Sequence, residues 1–92
     1  MAIVTHVVLD VLKPHKPNVV DFASQLADLG ENYSINLVVQ EVDDKTHSII
    51  LKISGDRLDY NAIVQHIEAM GGSVHSIDEV DVKSEPPEEK VE

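Results

Sequence analysis

Cysteine is absent from this chain of 92 residues, and aromatic side chains are scarce, with no Trp, one Phe and two Tyr. Without thiols there is no disulfide, no thiolate zinc site and no Cys nucleophile, so a bound metal would depend on carboxylates and the five His. The shortage of aromatic rings disfavours single-stranded nucleic acid binding, which relies on base stacking. The core is therefore predicted to be aliphatic.

Basic side chains are also few: seven Lys and Arg stand against 17 Asp and Glu, which gives a formal charge of −10. A chain this acidic repels phosphate backbones and anionic lipid surfaces, so neither nucleic acid nor a membrane is expected as a partner. No apolar run approaches the length that spans a bilayer, and the N-terminus lacks the pattern of a secretory signal. We therefore expect a soluble cytoplasmic protein, and the length fits one domain.

The stretch from Ile3 to His15, IVTHVVLDVLKPH, predicts a long strand that runs into a turn. Its residues are almost all β-branched or Leu at both alternating positions, which is typical of a central strand covered on both faces. Pro14 and Pro17 cannot continue a ladder of hydrogen bonds, because each lacks a backbone N–H. We expect the strand to end there.

Two amphipathic helices are predicted from apolar residues at helical spacing. The first runs from Asn18 to Leu29, with Asn18 as the N-cap and Gly30 as the left-handed residue that ends it. The second begins after the N-cap Asp59 and stops at Gly71–Gly72. The apolar stripes of both helices are expected to pack on the sheet.

Period-two alternation predicts three further strands. The runs from Tyr33 to Val42 and from His47 to Ser54 form a hairpin closed by Gly55, and the last strand spans Ser73 to Val82. With right-handed crossovers, the order β-α-β-β-α-β predicts an α+β, ferredoxin-like sandwich, in which an antiparallel sheet of order 4-1-3-2 carries two helices on one face. Residues 1–82 are predicted to form this domain, and the acidic residues 83–92 a disordered tail.

Catalytic motifs are missing: no nucleophile elbow, phosphate-binding loop, dinucleotide fingerprint, HExxH or EF-hand pattern occurs. We therefore expect no enzymatic activity. Metal-capable side chains do concentrate on the first and last strands. Asp10 is the most unusual, because it interrupts an aliphatic strand and an unpaired buried charge costs several kcal/mol. A cation or a His is expected to meet it, unless it accepts hydrogen bonds from the turn at residues 13–15 or pairs with Lys13.

The predicted metal site combines Asp10, His15 and His75 with a carboxylate from Asp78 or Glu79 of the same or a neighbouring subunit. Because the two strands are antiparallel, the start of the last strand lies beside the end of the first. Such mixed donors suit Zn, Cu or Ni, whereas a carboxylate-dominated site with water would suit Ca. A slip of one residue would exchange which of His75 and Asp78 faces Asp10. The other histidines are interpreted as surface residues: His6, His47 and His66.

Two motifs, VLDVLKPH at residues 8–15 and HSIDEV at residues 75–80, resemble the opening and closing motifs of a small archaeal family, domain-of-unknown-function family 211. The resemblance covers about residues 2–80 and departs from the family pattern at residues 31–34. It implies a ferredoxin-like, ACT-like fold, cyclic homo-oligomers and binding of divalent cations. It implies no established activity.

Two functions fit these features. The first is a metal-binding protein that stores, buffers or senses a divalent ion. The alternative, by analogy of fold, is an ACT-like regulatory module that holds a small metabolite at subunit interfaces. Self-association is predicted in either case, because the sheet face opposite the helices should carry too many apolar side chains for contact with water. These side chains are Val4, Val8, Val38, Val42 and Ile50.

Overall fold

The computed structural model describes residues 2–85 and contains four strands and two helices. In chain order they are β1 (Ala2–Pro14), α1 (Val19–Ala27), β2 (Ser34–Val42), β3 (Thr46–Leu58), α2 (Tyr60–Ala69) and β4 (Ser73–Ser84). The strands form one antiparallel sheet in the order β2-β3-β1-β4. This is the predicted order read from the other edge, and β1 is central, as its composition predicted.

The core lies between the helices and one face of the sheet. Its centre is made of cross-strand pairs that fill the rows of β1 and β3, namely Val7 with Ile53, Leu9 with Leu51, and Val11 with Ile49. Phe22 and Leu26 of α1 and Ile63 and Ile67 of α2 join the same cluster and are fully buried. Both helices therefore cover one face, as predicted, and the interior is almost entirely aliphatic.

The helix N-caps are the predicted ones. The side chain of Asn18 accepts a hydrogen bond from the Asp21 N–H at 2.8 Å, and that of Asp59 accepts one from the Ala62 N–H at 3.1 Å. The predicted end of α1 is wrong, because the helix stops at Ala27 and the left-handed residue of the following connection is Asn32 (φ 63°), not Gly30. Asn tolerates this conformation better than other side chains, since it can bond to the local backbone.

Bulges change which residues share a face. A register shift between Val4 and His6 returns Val4 to the core side, so its predicted place on the opposite face is wrong. A second shift, between Val39 and Glu41, sets Val42 opposite His47 and moves it to the helix side as well. β3 also continues past Gly55 to Leu58 instead of ending there, which lengthens its pairing with β1.

The C-terminal part of β4 runs beyond the boundary predicted at residue 82. The strand continues to Ser84, and the next residue, Glu85, forms an ion pair with Arg57 of β3 at 2.7 Å. The rest of the predicted tail, residues 86–92, lies outside the described residues. Among residues 2–85, neither helix has the length and hydropathy needed to cross a bilayer.

Tyr33 joins the connection after α1 to the start of α2. Its hydroxyl oxygen accepts a hydrogen bond from the backbone N–H of Asp59 at 2.8 Å, and its ring packs against the core cluster. A Cβ added at Gly30 would overlap this ring. Gly30 is therefore required for close approach and not for a left-handed turn.

We expect Gly30→Ala to lower the free energy of unfolding by about 1–3 kcal/mol, the usual cost of forcing an extra methyl group into occupied space. Urea denaturation measures this cost. In a Tyr33→Ala background the same change should be close to neutral, because the overlapping ring is gone. An equal cost in both backgrounds would show that the ring is not the cause.

Candidate functional site

The helices leave one side of the sheet uncovered, and we call this side the open face. Bulges excepted, its residues form four rows across β2, β3, β1 and β4. The rows are Ser34, Ser54, His6 and Asp81; Asn36, Lys52, Val8 and Glu79; Val38, Ile50, Asp10 and Ser76; and Glu41, Ser48, Leu12 and Ser73. Four carboxylates, one imidazole and one Lys thus share this face with four apolar side chains, Val8, Leu12, Val38 and Ile50.

Asp10 lies half-buried at the middle of the open face, between Ile50 on β3 and Ser76 on β4. No hydrogen bond or ion pair of its carboxylate occurs within residues 2–85. The pairing with Lys13, one of the alternatives that the sequence left open, does not form, because Lys13 points to the opposite side of the sheet. The half-exposed position lets water solvate the charge in a single chain.

β4 places its metal-capable residues differently from the predicted alternation. Glu79 lies opposite Val8, whereas the register shifts at Asp78 and at His75 leave these two residues without a direct partner on β1. Ser76 therefore takes the place opposite Asp10 that the sequence suggested for His75 or Asp78. Its hydroxyl donates a hydrogen bond to the Asp78 carboxylate at 2.8 Å.

His15 lies apart from the other predicted ligands. Its Nε2 is 3.0 Å from the carbonyl oxygen of Asp43 and 2.9 Å from that of Asp44, so the Nε2–H donates to the β2–β3 turn. This turn is on the β3 side of β1, whereas His75 is on the β4 side. Within residues 2–85 of one chain, no three or more His, Asp or Glu side chains come together to hold a metal.

His6 is a candidate that sequence reasoning assigned to the surface. Its Nδ1 lies 2.8 Å from Ser54 Oγ, and Asp81 is its direct cross-strand partner on β4. When Nδ1 donates to Ser54, Nε2 keeps its lone pair available to a cation, which is how histidine ligands are usually held. Alternation along β1 sets His6 on the same face as Asp10, because the bulge at Thr5 precedes His6 and changes only the face of Val4. The even separation of His6 from Asp10 is the signal that could have found it.

A basic cluster lies on the helix side, at the end of the sheet near the β2–β3 turn. Lys13 is fully buried. Its Nζ donates a hydrogen bond to the Pro14 carbonyl at 2.7 Å, and the same atom lies 5.5 Å from the centre of the Phe22 ring. His47 faces Lys13 across the strands and packs edge-on against His15, with ring centres 4.5 Å apart. Nδ1 of His47 is buried without a hydrogen-bond partner in the described residues.

Burial has lowered two pKa values in this cluster. Loss of hydration lowers the pKa of His47, and the nearby His15 and Lys13 lower it further by repelling a second positive charge. Loss of hydration also lowers the pKa of Lys13. Lys13 continues the alternating row of Val7, Leu9 and Val11, and this spacing is the signal that would have placed it inside.

Most of the chain, including the residues described above, matches a known protein family. Residues 5–88 match domain-of-unknown-function family 211, DUF211, which is described as Uncharacterized ArCR. The chain belongs to DUF211. The family resemblance suggested by the two motifs is thereby confirmed.

A relative of similar size supports this assignment. The protein is 42% identical over 77 residues to Uncharacterized protein MJ0319 of Methanocaldococcus jannaschii, an alignment that covers 84% of this chain and 79% of that one. The matched region of DUF211 includes the open face, the basic cluster and the Glu85 ion pair. Neither name states an activity.

We expect the free energy of unfolding to fall as the pH drops from about 7.5 to about 5, in part because of His47. Its folded-state pKa lies below the ordinary value of 6.5, so the unfolded chain binds the proton more readily and acid favours unfolding. His47→Gln should make the pH dependence shallower, as measured by urea denaturation at several pH values. His66→Gln is the control for loss of one imidazole, and a His47→Gln profile parallel to that of the parent would contradict this role.

Proposed function

We propose that this DUF211 protein binds a divalent metal ion on the open face, at a site completed by a second copy of the chain. The observation that carries the proposal is the unpartnered carboxylate of Asp10 at the centre of this face, beside Val8, which is only 8% exposed. A carboxylate in such a place must keep its water or gain a counter-charge.

Apolar side chains around Asp10 favour contact with another copy. Leu12 and Val38 are 41% and 47% exposed, and the half-buried Ile50 lies between Val38 and Asp10 in one row. Packing two such faces together would remove these side chains from water, which is the main source of favourable energy in association. It would also remove water from Asp10, and a cation would then supply the missing charge.

Further donor atoms for that cation lie on the same face, Glu79 one row away from Asp10, and His6 and Asp81 two rows away. Glu79 and Asp81 are on the neighbouring strand, and His6 is opposite Asp81 with its Nδ1 held by Ser54. One chain does not bring three such donors together within its described residues, so the coordination shell needs donors from both copies. In this proposal, residues on the β4 edge, among them His75 and Asp78, add donors from a neighbouring subunit.

The chemical nature of the donor atoms decides which metal ion the proposed site prefers. One imidazole and several carboxylates from each copy suit Zn, Cu or Ni, whereas the carboxylates without His6 would form the oxygen-only set that Ca prefers. We therefore propose storage, buffering or sensing of a transition metal in the cytoplasm. The topology is consistent with a ferredoxin-like α+β fold, and in the ACT-like alternative a small metabolite would replace the metal between subunits.

Self-association is the first expectation of this proposal. Light scattering coupled to size-exclusion chromatography should give a mass above 10.1 kDa at micromolar concentration. Ile50→Lys should shift the mass towards the monomer, because the new charge lies at the centre of the open face. Val20→Lys is the matched control, since Val20 is 69% exposed on α1. A monomeric parent would exclude the shared site.

Metal titration by calorimetry is the second test. Asp10→Asn and His6→Gln should each weaken Zn binding by at least about tenfold, since each removes a direct ligand. His6→Gln should weaken Ca binding much less, because Ca takes oxygen donors. Asp21→Asn on α1 controls for the loss of one carboxylate. If Asp10→Asn and His6→Gln bind Zn as tightly as the parent, the site is not on the open face.

A further inference from the structure

A cavity of about 410 Å³ lies at the end of the sheet opposite the β2–β3 turn. β1 begins here, β3 ends here and α2 starts here. The volume falls in the range of pockets that hold small molecules. The cavity shares no residue with the open-face rows proposed to bind a metal.

The floor of the cavity is apolar and fixed. Leu58 is 6% exposed and belongs to the core cluster, and Val4 and Tyr60 are half-buried against it. Residues this well packed keep their positions whether or not a ligand is present. The floor therefore suits a short aliphatic group.

One side of the cavity carries the only arginine in the sequence, Arg57. Its Nη2 donates to the carboxylate of Glu85 at 2.7 Å, the one hydrogen bond of this side chain within residues 2–85, and the guanidinium has further N–H groups that can donate to a second carboxylate oxygen. The two side chains are 61% and 36% exposed. An ion pair this exposed contributes little stability, so a competing carboxylate can replace Glu85.

The start of α2 forms the opposite side. Tyr60 and Asn61 line the cavity at the first turn of the helix, where backbone N–H groups have no partner within the helix. Asp59 also lines the cavity, and its carboxylate accepts a hydrogen bond from the Ala62 N–H at 3.1 Å. The positive end of the helix dipole, which Asp59 caps in part, and Arg57 both favour a negative group in the cavity.

We propose that this cavity binds a small aliphatic monocarboxylate. Its carboxylate pairs with Arg57 in the place now taken by Glu85, and its hydrocarbon part rests on Val4 and Leu58. Glu85 acts as an internal competitor that occupies Arg57 when the ligand is absent. Arg57 is the residue that sets the preference for an anion.

Titration with 4-methylvalerate, followed by amide chemical shifts in two-dimensional NMR, tests this site. The shifts of Arg57, Tyr60 and Asn61 should move and saturate. The neutral analogue 4-methylvaleramide has the same hydrocarbon part and should bind about tenfold more weakly or not at all, since it lacks the charge-assisted hydrogen bonds.

Substitutions at the two exposed residues of the ion pair give a second test. Glu85→Gln should bind 4-methylvalerate several-fold more tightly than the parent, because the competing carboxylate is gone, and Arg57→Gln should lose the binding. Lys52→Gln, on the open face, controls for removal of a positive charge. Equal affinity for the acid and the amide, or no saturable shifts in Glu85→Gln, would overturn the proposal.

Discussion

The antiparallel pairing of β1 with β3 on one side and β4 on the other decides where every other part of the molecule lies. It aligns the aliphatic rows that receive α1 and α2, and so creates one covered and one uncovered face. It also sets His6, Val8 and Asp10 in line across the uncovered face. A change of one residue in this register would exchange the two faces of β1, and both the core and the candidate metal site would be lost.

Much of this fold could be predicted from the sequence, and the exceptions share a cause. Alternation and caps gave the element order, the central β1 and the N-caps Asn18 and Asp59, because these depend on neighbours a few residues away. Bulges depend on how two distant strands fit together, and they moved Val4 and Val42 to the core side. The same effect put Ser76, not His75, opposite Asp10. Site residues on bulged strands are therefore harder to predict than core residues.

Charged side chains have different surroundings on the two faces of the sheet. On the covered face, the fully buried Lys13 has a carbonyl and an aromatic ring as neighbours, and its neighbour His47 is held towards the neutral form. On the uncovered face, Asp10 keeps its contact with water. A pairing of Asp10 with Lys13 was one of the alternatives that the sequence left open. Their odd separation along a strand puts them on opposite sides of the sheet.

The irregular edge of β4 hinders the addition of strands from other molecules to the sheet. Register shifts at His75 and Asp78 break the even spacing of backbone donors and acceptors, and acidic side chains follow at residues 79 and 81. An incoming strand finds no continuous ladder there and meets repulsion if it comes from another copy. Extended β-polymers are thereby discouraged along this edge. The self-association proposed through the open face would instead bury its apolar side chains between copies, and this contact would give closed assemblies of finite size.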